Sequence, residues 1–464
     1  MKIEAKQIEA IVRKVLSEIQ GSKTTVASQY GVFSNMDDAI EAAYKAQKEL
    51  MKLSFEKRGK LIDAIRRECR KNVETLAKMA HEESGMGRYE DKILKNLLVI
   101  DKTPGIEDLD CQAVSGDDGL TLYEYSPFGV IGSITPVTNP SETIINNSIG
   151  MIAAGNAVVY SPHPSATGTS RLTIEIINKA IIDEGGPANL ITSVEKPSLE
   201  NSEIMMNHEK VKMLVATGGP GVVNAVLTSG KKAIGAGAGN PPAVVDETAD
   251  IEKAAKDIID GHSFDNNLPC TAEKEVIVVE QVADYLIFNM KKHNAYVMED
   301  KEMIEKLKNL VITDKGGPNK DFIGKNANYI LKHLGLEFGD ELRAVVVEVD
   351  RDHPFVQVEM MMPILPVVRV KDVDEAIKLG IEVEHGNRHT AIMHSKNIDN
   401  LTRFAREVQT TIFVKNGPSY AGIGFGGEGY TSFTLAGPTG EGLTTARSFS
   451  RKRKCVLVGG FSIK

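Results

Sequence analysis

Gly129-Val-Ile-Gly-Ser-Ile-Thr-Pro-Val-Thr-Asn-Pro-Ser-Glu-Thr-Ile-Ile-Asn-Asn-Ser-Ile-Gly-Met-Ile-Ala-Ala154 is the stretch that decides the fold. Val130–Ile134 is an apolar run of strand length, and Ser141–Ala154 reads as a helix. The alternation continues downstream. Ala157–Tyr160 is a second strand, followed by Ser161-Pro-His-Pro164; residues 168–184 form a helix, and Asn189–Thr192 and Val211–Ala216 are further strands. Strands separated by helices predict a doubly wound α/β domain with a parallel sheet. Its ligand site should lie at the carboxyl ends of the strands. Thr217-Gly-Gly-Pro-Gly221 falls there, directly after a strand and before a helix at Val222–Ser229. A helix N-terminus at that place suits a nucleotide phosphate. The segment matches neither G-x-G-x-x-G nor G-x-x-x-x-G-K-[ST], and a tight structural turn is the equal reading.

A second α/β unit starts after Gly235-Ala-Gly-Ala-Gly-Asn-Pro-Pro242, with a strand at Ala243–Val245 and a helix at Asp250–His262. The loop Phe264-Asp-Asn-Asn-Leu-Pro-Cys270 follows, then a strand at Val276–Val279. Val345–Val349, Leu365–Val370, Val373–Glu382 and residues 411–414 supply later elements, and Cys455–Val458 a last strand that completes a sheet in this chain or in a neighbour. On the N-terminal side, residues 36–100 read as helices, Lys57–Met79 as one of them, and Leu120–Tyr125 alternates like a strand. In residues 1–20, Ile8, Ile11, Val12, Val15, Leu16 and Ile19 make one apolar stripe on a short helix. Residues 21–30 form a polar linker.

The 464 residues are enough for two or three domains, and a formal charge of -8 gives no reason to expect a nucleic-acid partner. Arg451-Lys-Arg-Lys454 is a basic cluster, either a phosphate-contacting patch or a solvated turn. The apolar runs are strand-sized and the N-terminus is charged, so neither a membrane span nor a signal peptide is expected. The four cysteines, Cys69, Cys111, Cys270 and Cys455, include no CxxC pair. No metal site or disulfide framework is expected, and a reducing cytoplasm suits them. Cys270, after a polar turn, reads either as a covalent nucleophile or as an inert buried thiol.

Five ordered segments resemble the aldehyde dehydrogenase superfamily, and within it the CoA-acylating branch that includes propionaldehyde, acetaldehyde and butyraldehyde dehydrogenases. They are Ser133–Pro140, Gly155–Val159, Lys231–Pro242, Ser263–Cys270 and Glu359–Pro363. The resemblance implies a Rossmann-type NAD/CoA-binding domain over 31–234 with oligomerisation strands near 112–128. It implies a catalytic cysteine domain over 235–430 and a C-terminal return and oligomerisation segment over 431–464. It makes Cys270 the nucleophile that forms a thiohemiacetal and then an acyl-thioester. The oxyanion would take its donors from the Cys270 N–H and from a side-chain amide. The ungapped match puts Thr138 at that amide's position, while Asn139 is the better donor and the one assigned here. Glu359 would contact the nicotinamide ribose. Thr135, Pro136, Ser161, Pro162, His163, Thr217, Gly218, Gly219 and Pro220 would meet the cofactor. Ser161 replaces a family lysine, which favours NAD over NADP, and His163 either contacts a phosphate or is simply exposed.

Gly235 stands where hydrolytic members carry a glutamate that activates water. Having no side chain, it leaves the thioester to a thiol, and free CoA would release acyl-CoA. A short-chain aliphatic aldehyde, CoA and NAD are the expected small-molecule partners, and Tyr420–Gly427 would shape the entrance. The resemblance also implies a homodimer or homotetramer, and a 1–20 helix that docks on the shell or cargo of a bacterial microcompartment in the cytoplasm. The charges of that helix make membrane attachment less attractive. The alternatives are NAD-dependent oxidation to the free acid, and a non-catalytic cofactor-binding structural protein.

Overall fold

The computed structural model describes residues 30–463; the expected 1–20 helix and nearly all of the 21–30 linker lie outside the described residues. The first sheet is built from β1 (Val130–Thr135), β2 (Ala157–Pro162), β3 (Ile191–Val194), β4 (Val211–Thr217) and β5 (Lys232–Ala236), in the order β3-β2-β1-β4-β5, with Val32–Phe33 outside β3. All its pairings are parallel. This is the dinucleotide-binding order, and the chain reverses direction across the sheet beside β1. Strands β1 and β2 are almost wholly buried, which is why they read as continuous apolar runs.

Between β1 and β2 lies the helix Pro140–Ala153, every residue of which is buried. Its polar residues are therefore internal hydrogen-bonding groups. Asn147 Nδ2 donates to Ser133 Oγ at 3.2 Å, Asn146 Nδ2 to Thr103 Oγ1 at 3.0 Å, and Ser148 bonds the Tyr160 hydroxyl at 2.8 Å. The helix ties the first sheet to its neighbours as well as crossing over it.

The second sheet contains β6 (Pro242–Val245), β7 (Glu275–Val279), β8 (Ala295–Met298), β9 (Ala344–Glu348), β10 (Ile364–Val370), β11 (Thr390–His394) and β12 (Ile412–Lys415), in the order β8-β9-β10-β7-β6-β11-β12. It too is parallel throughout. A three-stranded antiparallel sheet of Gln112–Gly116, Gly119–Pro127 and Ser450–Val458 stands apart.

Three local expectations need correction. Lys57–Met79 is two helices, Phe55–Lys71 and Val73–Ser84, broken at Asn72 (φ -105°, ψ 9°), whose side chain donates to Glu68 O at 2.8 Å. Asparagine competes with the helix for such backbone partners. The strand expected from Asn189 starts at Ile191, because Asn189 is left-handed (φ 65°). Arg451–Lys454 is not a turn but lies in the nine-residue strand Ser450–Val458; it pairs with Tyr123–Ser126 within the chain, and Lys452 and Lys454 lie over the Tyr123 ring.

Candidate active site

The helix Ile251–Ser263 hands over to a turn in which Asp265, Asn266 and Asn267 are all left-handed (φ 47°, 54° and 66°). Asp and Asn are the non-glycine types that tolerate this best, and each such residue still costs on the order of 1 kcal/mol or more. Surrounding groups hold the turn. Asp265 N donates to Asp91 Oδ2 (2.9 Å), and Arg88 N donates to Asp265 Oδ1 (2.8 Å). Asn266 Nδ2 donates to Gly324 O (2.9 Å) and Asn326 Oδ1 (2.7 Å). Asn267 Nδ2 donates to His262 O and Glu273 O, both at 2.9 Å. The Lys274 ammonium donates to Asn267 O (2.9 Å), Asn267 Oδ1 (2.7 Å) and Pro269 O (3.3 Å). The Asp-Asn-Asn triplet is thus the means by which the chain turns a helix end into a fixed loop that presents Cys270.

Cys270 is part-buried and opens on a cavity of about 900 Å³. Burial pushes its thiol up to about 12, and the Glu359 carboxylate adds to this; the Lys274 ammonium, the residue's own N–H and Lys95 act the other way. Glu359, on the same cavity, is itself held above the usual carboxylate range by burial, against Lys274 and a hydrogen bond from the Gly239 N–H. The carboxylate therefore disfavours ionisation of the thiol, and Lys274 favours ionisation of both.

Asn139 sits at the head of the helix Pro140–Ala153 but does not cap it with its side chain. Its Oδ1 accepts from Lys95 Nζ at 2.6 Å, and its Nδ2 donates to Thr138 Oγ1 at 3.2 Å. The second amide hydrogen has no partner among the described residues. Lys95 belongs to the helix Tyr89–Lys102 and lies 2.6 Å from Asp265 Oδ2 and 3.4 Å from Glu142 Oε1; Lys92, one turn earlier, lies 3.1 Å from the same Asp265 oxygen. All four side chains are at most 1% exposed. Burial opposes the Lys95 charge, yet Asp265 and Glu142 keep its pKa above the ordinary lysine value. One buried cluster of two cations and two carboxylates thus joins Asn139 to the Cys270 loop.

At the far end the cavity follows the carboxyl ends of β1, β2 and β4, at the switch point of the sheet. Thr135, Pro136, Thr138, Asn139, Ser161, Pro162, His163, Thr217, Gly218, Gly219, Pro220, Cys270 and Glu359 all line it. Thr135 Oγ1 is buried without a partner, and Thr135 O accepts from His163 N at 3.1 Å. Ser202 Oγ donates to Ser198 O (3.0 Å), so its 2.7 Å contact with Ser161 Oγ makes Ser161 the donor and leaves Ser161 as an acceptor toward the cavity. His163 Nδ1 accepts from Ser165 N at 3.1 Å, and burial, with Lys320 nearby, keeps the ring neutral. Gly218 and Gly219 have no positive φ, and a Cβ on either would meet nothing within 4 Å. Turn geometry does not require them; the empty space beside them fits a ligand's backbone, and the orphaned hydroxyl and acceptors fit an adenosine diphosphate moiety.

Gly235 lies inside β5, and a Cβ there would strike Val223 Cγ1 at 2.7 Å. From this segment, Gly237 and Ala238 are the residues that line the cavity, and neither carries a base. Lys92, Lys95, Asp265, Lys274 and Lys320 escaped the sequence reading. So did His389, whose buried Nε2 has no partner, whose pKa burial pulls down to about 4, and whose ring packs against Gly239 beside the Cys270 carbonyl. The three-residue spacing of Lys92 and Lys95 was the available signal; nothing in sequence tells a buried helix face from a solvated one when its residues are charged.

The aldehyde dehydrogenase family pattern matches residues 14–308 and 332–443. The propanal dehydrogenase (CoA-propanoylating) of Citrobacter freundii is 48% identical over 459 residues, covering 99% of each chain. The crystal structure of Rhodopseudomonas palustris propionaldehyde dehydrogenase with bound CoA and an acylated cysteine superposes with a TM-score of 0.93 at 59% identity, covering 94% of this chain and 100% of that one. A propionaldehyde dehydrogenase from the fucose utilisation bacterial microcompartment of Clostridium phytofermentans gives a TM-score of 0.92 at 53% identity, again over 94% and 100%. With a cysteine loop, an amide and a dinucleotide cleft meeting in one cavity, and with these likenesses running over nearly the whole chain, the protein belongs to the aldehyde dehydrogenase family, in its CoA-acylating propionaldehyde and acetaldehyde branch.

Proposed function

We propose that this chain oxidises a short-chain aliphatic aldehyde (propanal, ethanal or butanal) and transfers the acyl group to CoA, with NAD as hydride acceptor, in a reversible reaction. The observation that carries the reading is the shared cavity: Cys270, the Asn139 amide and the β-strand ends open on one space, and Gly237 and Ala238 bring no base to it. Leu268, Ile423 and Phe433 give it apolar wall, which suits a small alkyl chain. The Phe264, Tyr420 and Phe425 rings pack on one another with centroids 5.1–5.6 Å apart, Phe264 and Phe425 stacked and Tyr420 inclined to both, and hold the 420–427 loop.

Cys270 Sγ, as the thiolate, attacks the aldehyde carbon. The developing oxyanion is received by the Cys270 N–H and the free amide hydrogen of Asn139, donors already in place before reaction. Glu359 would hold the ribose next to the nicotinamide, and Thr135, Pro136, Ser161, Pro162, His163 and the Thr217–Pro220 turn, which line the same cavity, would hold the rest of the cofactor. NAD, when bound, supplies the hydride acceptor. Loss of hydride leaves the acyl group on Cys270 as a thioester. CoA, its thiol proton released to solvent, attacks that thioester through its sulfur, Cys270 leaves as thiolate, and acyl-CoA forms.

Residues 1–20 dock this enzyme to the shell or cargo of a microcompartment in the cytoplasm, in line with the relative that comes from such a compartment. The chain assembles as a homodimer or homotetramer. Support comes from the strand Ser450–Val458, exposed from Arg451 onward, in a three-stranded sheet with little burial of its own; such a sheet needs a partner surface to be stable.

The test is NADH formation from propanal and NAD with and without CoA, beside Cys270→Ala. CoA-dependent turnover to propionyl-CoA, abolished in the variant, is expected. Equal rates without CoA, with propionate as product, would overturn the acylating reading in favour of hydrolysis.

A further inference from the structure

Among the described residues lining the cavity, Lys320 alone carries a full positive charge. It comes from the second α/β unit, on the segment between the helices Lys301–Val311 and Ala327–Lys332. Residues 309–331 are the part of this region that the general family pattern leaves unmatched. The segment is nonetheless built with care. Ile312 and Pro318 form a β-bridge, Asn319 N donates to Val311 O (2.7 Å), and Asn319 Nδ2 donates to Leu310 O (3.1 Å). Phe322 N donates to Asn319 O (3.1 Å), and the Phe322 ring is buried. Lys320 is therefore presented from an anchored backbone, with an exposed side chain and no ion-pair partner among the described residues. It lines the cavity together with the β2-end residues Ser161, Pro162 and His163, and its charge bears on His163.

NAD and CoA both end in an adenosine ribose, but CoA carries a phosphomonoester on it where NAD carries a hydroxyl. An acceptor such as Ser161 serves a hydroxyl. A dianionic phosphate calls for a cation, and β2 offers a serine and a neutral histidine. We propose that Lys320 is the specificity residue for the ribose phosphomonoester of CoA, presented to the cavity from a segment that the general family pattern leaves unmatched. The inference rests on the reading that CoA enters this cavity.

The experiment compares CoA with dephospho-CoA, and NAD with NADP, in the wild-type chain, Lys320→Ala and Lys320→Arg. The wild type should prefer CoA over dephospho-CoA in kcat/KM by about tenfold or more, the size of a charge-assisted contact. Lys320→Ala should bring that ratio toward one, and Lys320→Arg should keep most of it. CoA-dependent turnover with an unchanged ratio in Lys320→Ala would overturn the Lys320 assignment alone. A change confined to the NADP-to-NAD ratio would overturn it too, and give the lysine to the other ribose phosphate. Turnover indifferent to CoA in the wild type would overturn the parent reading, and this proposal with it.

Discussion

Lys95 Nζ lies 2.6 Å from Asn139 Oδ1 and 2.6 Å from Asp265 Oδ2. A single buried ammonium thus fixes the amide that faces the cavity and the turn that carries the nucleophile. Because the Asn139 oxygen is committed to Lys95, the amide orientation is set, with its hydrogens toward Thr138 and the cavity. The distance between nucleophile and oxyanion donor is then governed by a charge cluster that touches neither substrate nor cofactor.

Lys95→Met should cost both stability and rate. It leaves Asp265 and Glu142 buried with less compensation, at about 3–5 kcal/mol, and frees the Asn139 amide to rotate. Urea unfolding and steady-state kinetics on the same preparation check this. The diagnostic is coupling: in an Asn139→Ala background, Lys95→Met should lower kcat little further.

Asn139→Ala should lower kcat by about 10²–10³-fold, with a much smaller change in KM for the aldehyde. Thr138→Val, which removes only the hydroxyl that accepts from Asn139, should stay within about tenfold of wild type, the scale of one neutral hydrogen bond. A Thr138→Val loss equal to that of Asn139→Ala would make Thr138 the donor.

The thiol of Cys270, raised to about 12, is protonated at neutral pH in the ligand-free protein. Its alkylation by iodoacetamide should rise about tenfold per pH unit and show no plateau below about 12. Glu359→Gln removes a charge that opposes the thiolate and should speed alkylation at any given pH. Lys274→Met removes a charge that supports it and should slow the reaction. Mass spectrometry of the Cys270 peptide gives the rates.

Glu273 is buried, accepts from Ser419 N (2.8 Å) and Ser419 Oγ (2.6 Å), and is raised by burial from 4.5 to about 8. Below 4.5 it is protonated folded or unfolded and costs nothing. Between 4.5 and about 8 only the unfolded chain ionises, so this group makes stability fall as pH rises, and the loss is complete above the folded value. Thermal melts should show Glu273→Gln gaining on wild type through that window and holding its advantage beyond it.

Gly239→Ala should cripple the enzyme without touching a charged group. A Cβ there would meet His389 Cγ at 2.8 Å and the Cys270 carbonyl oxygen at 2.9 Å, and the same residue's N–H holds Glu359. The Cys270 loop must then shift, and a displacement of about 1 Å costs on the order of 10² in kcat/KM. Gly218→Ala, whose Cβ enters open space, should instead raise KM for NAD while leaving the melting temperature near wild type.

The doubly wound α/β character of the first sheet was legible because its central strands Val130–Thr135 and Ala157–Pro162 are buried and read as apolar runs between helices, whereas the strand order and the outer strands Val32–Phe33 and Lys232–Ala236 were not read. Cys270, Glu359 and the strand-end residues were legible because motifs keep their order along the chain. The break at Asn72 was lost, since helix periodicity runs through it and only the asparagine's competition for Glu68 O reveals it. The helix Pro140–Ala153 was found, but its Ser, Glu, Thr and Asn residues gave no hint that all of them are buried. The Lys92–Lys95–Asp265–Glu142 cluster and the reach of Lys320 were decided by tertiary structure alone. Periodicity and local spacing act within one element, whereas the energy of a buried charge depends on which distant carboxylate or ligand meets it. That meeting is set only when helix 89–102, the Cys270 loop and the 312–326 segment close around one cavity.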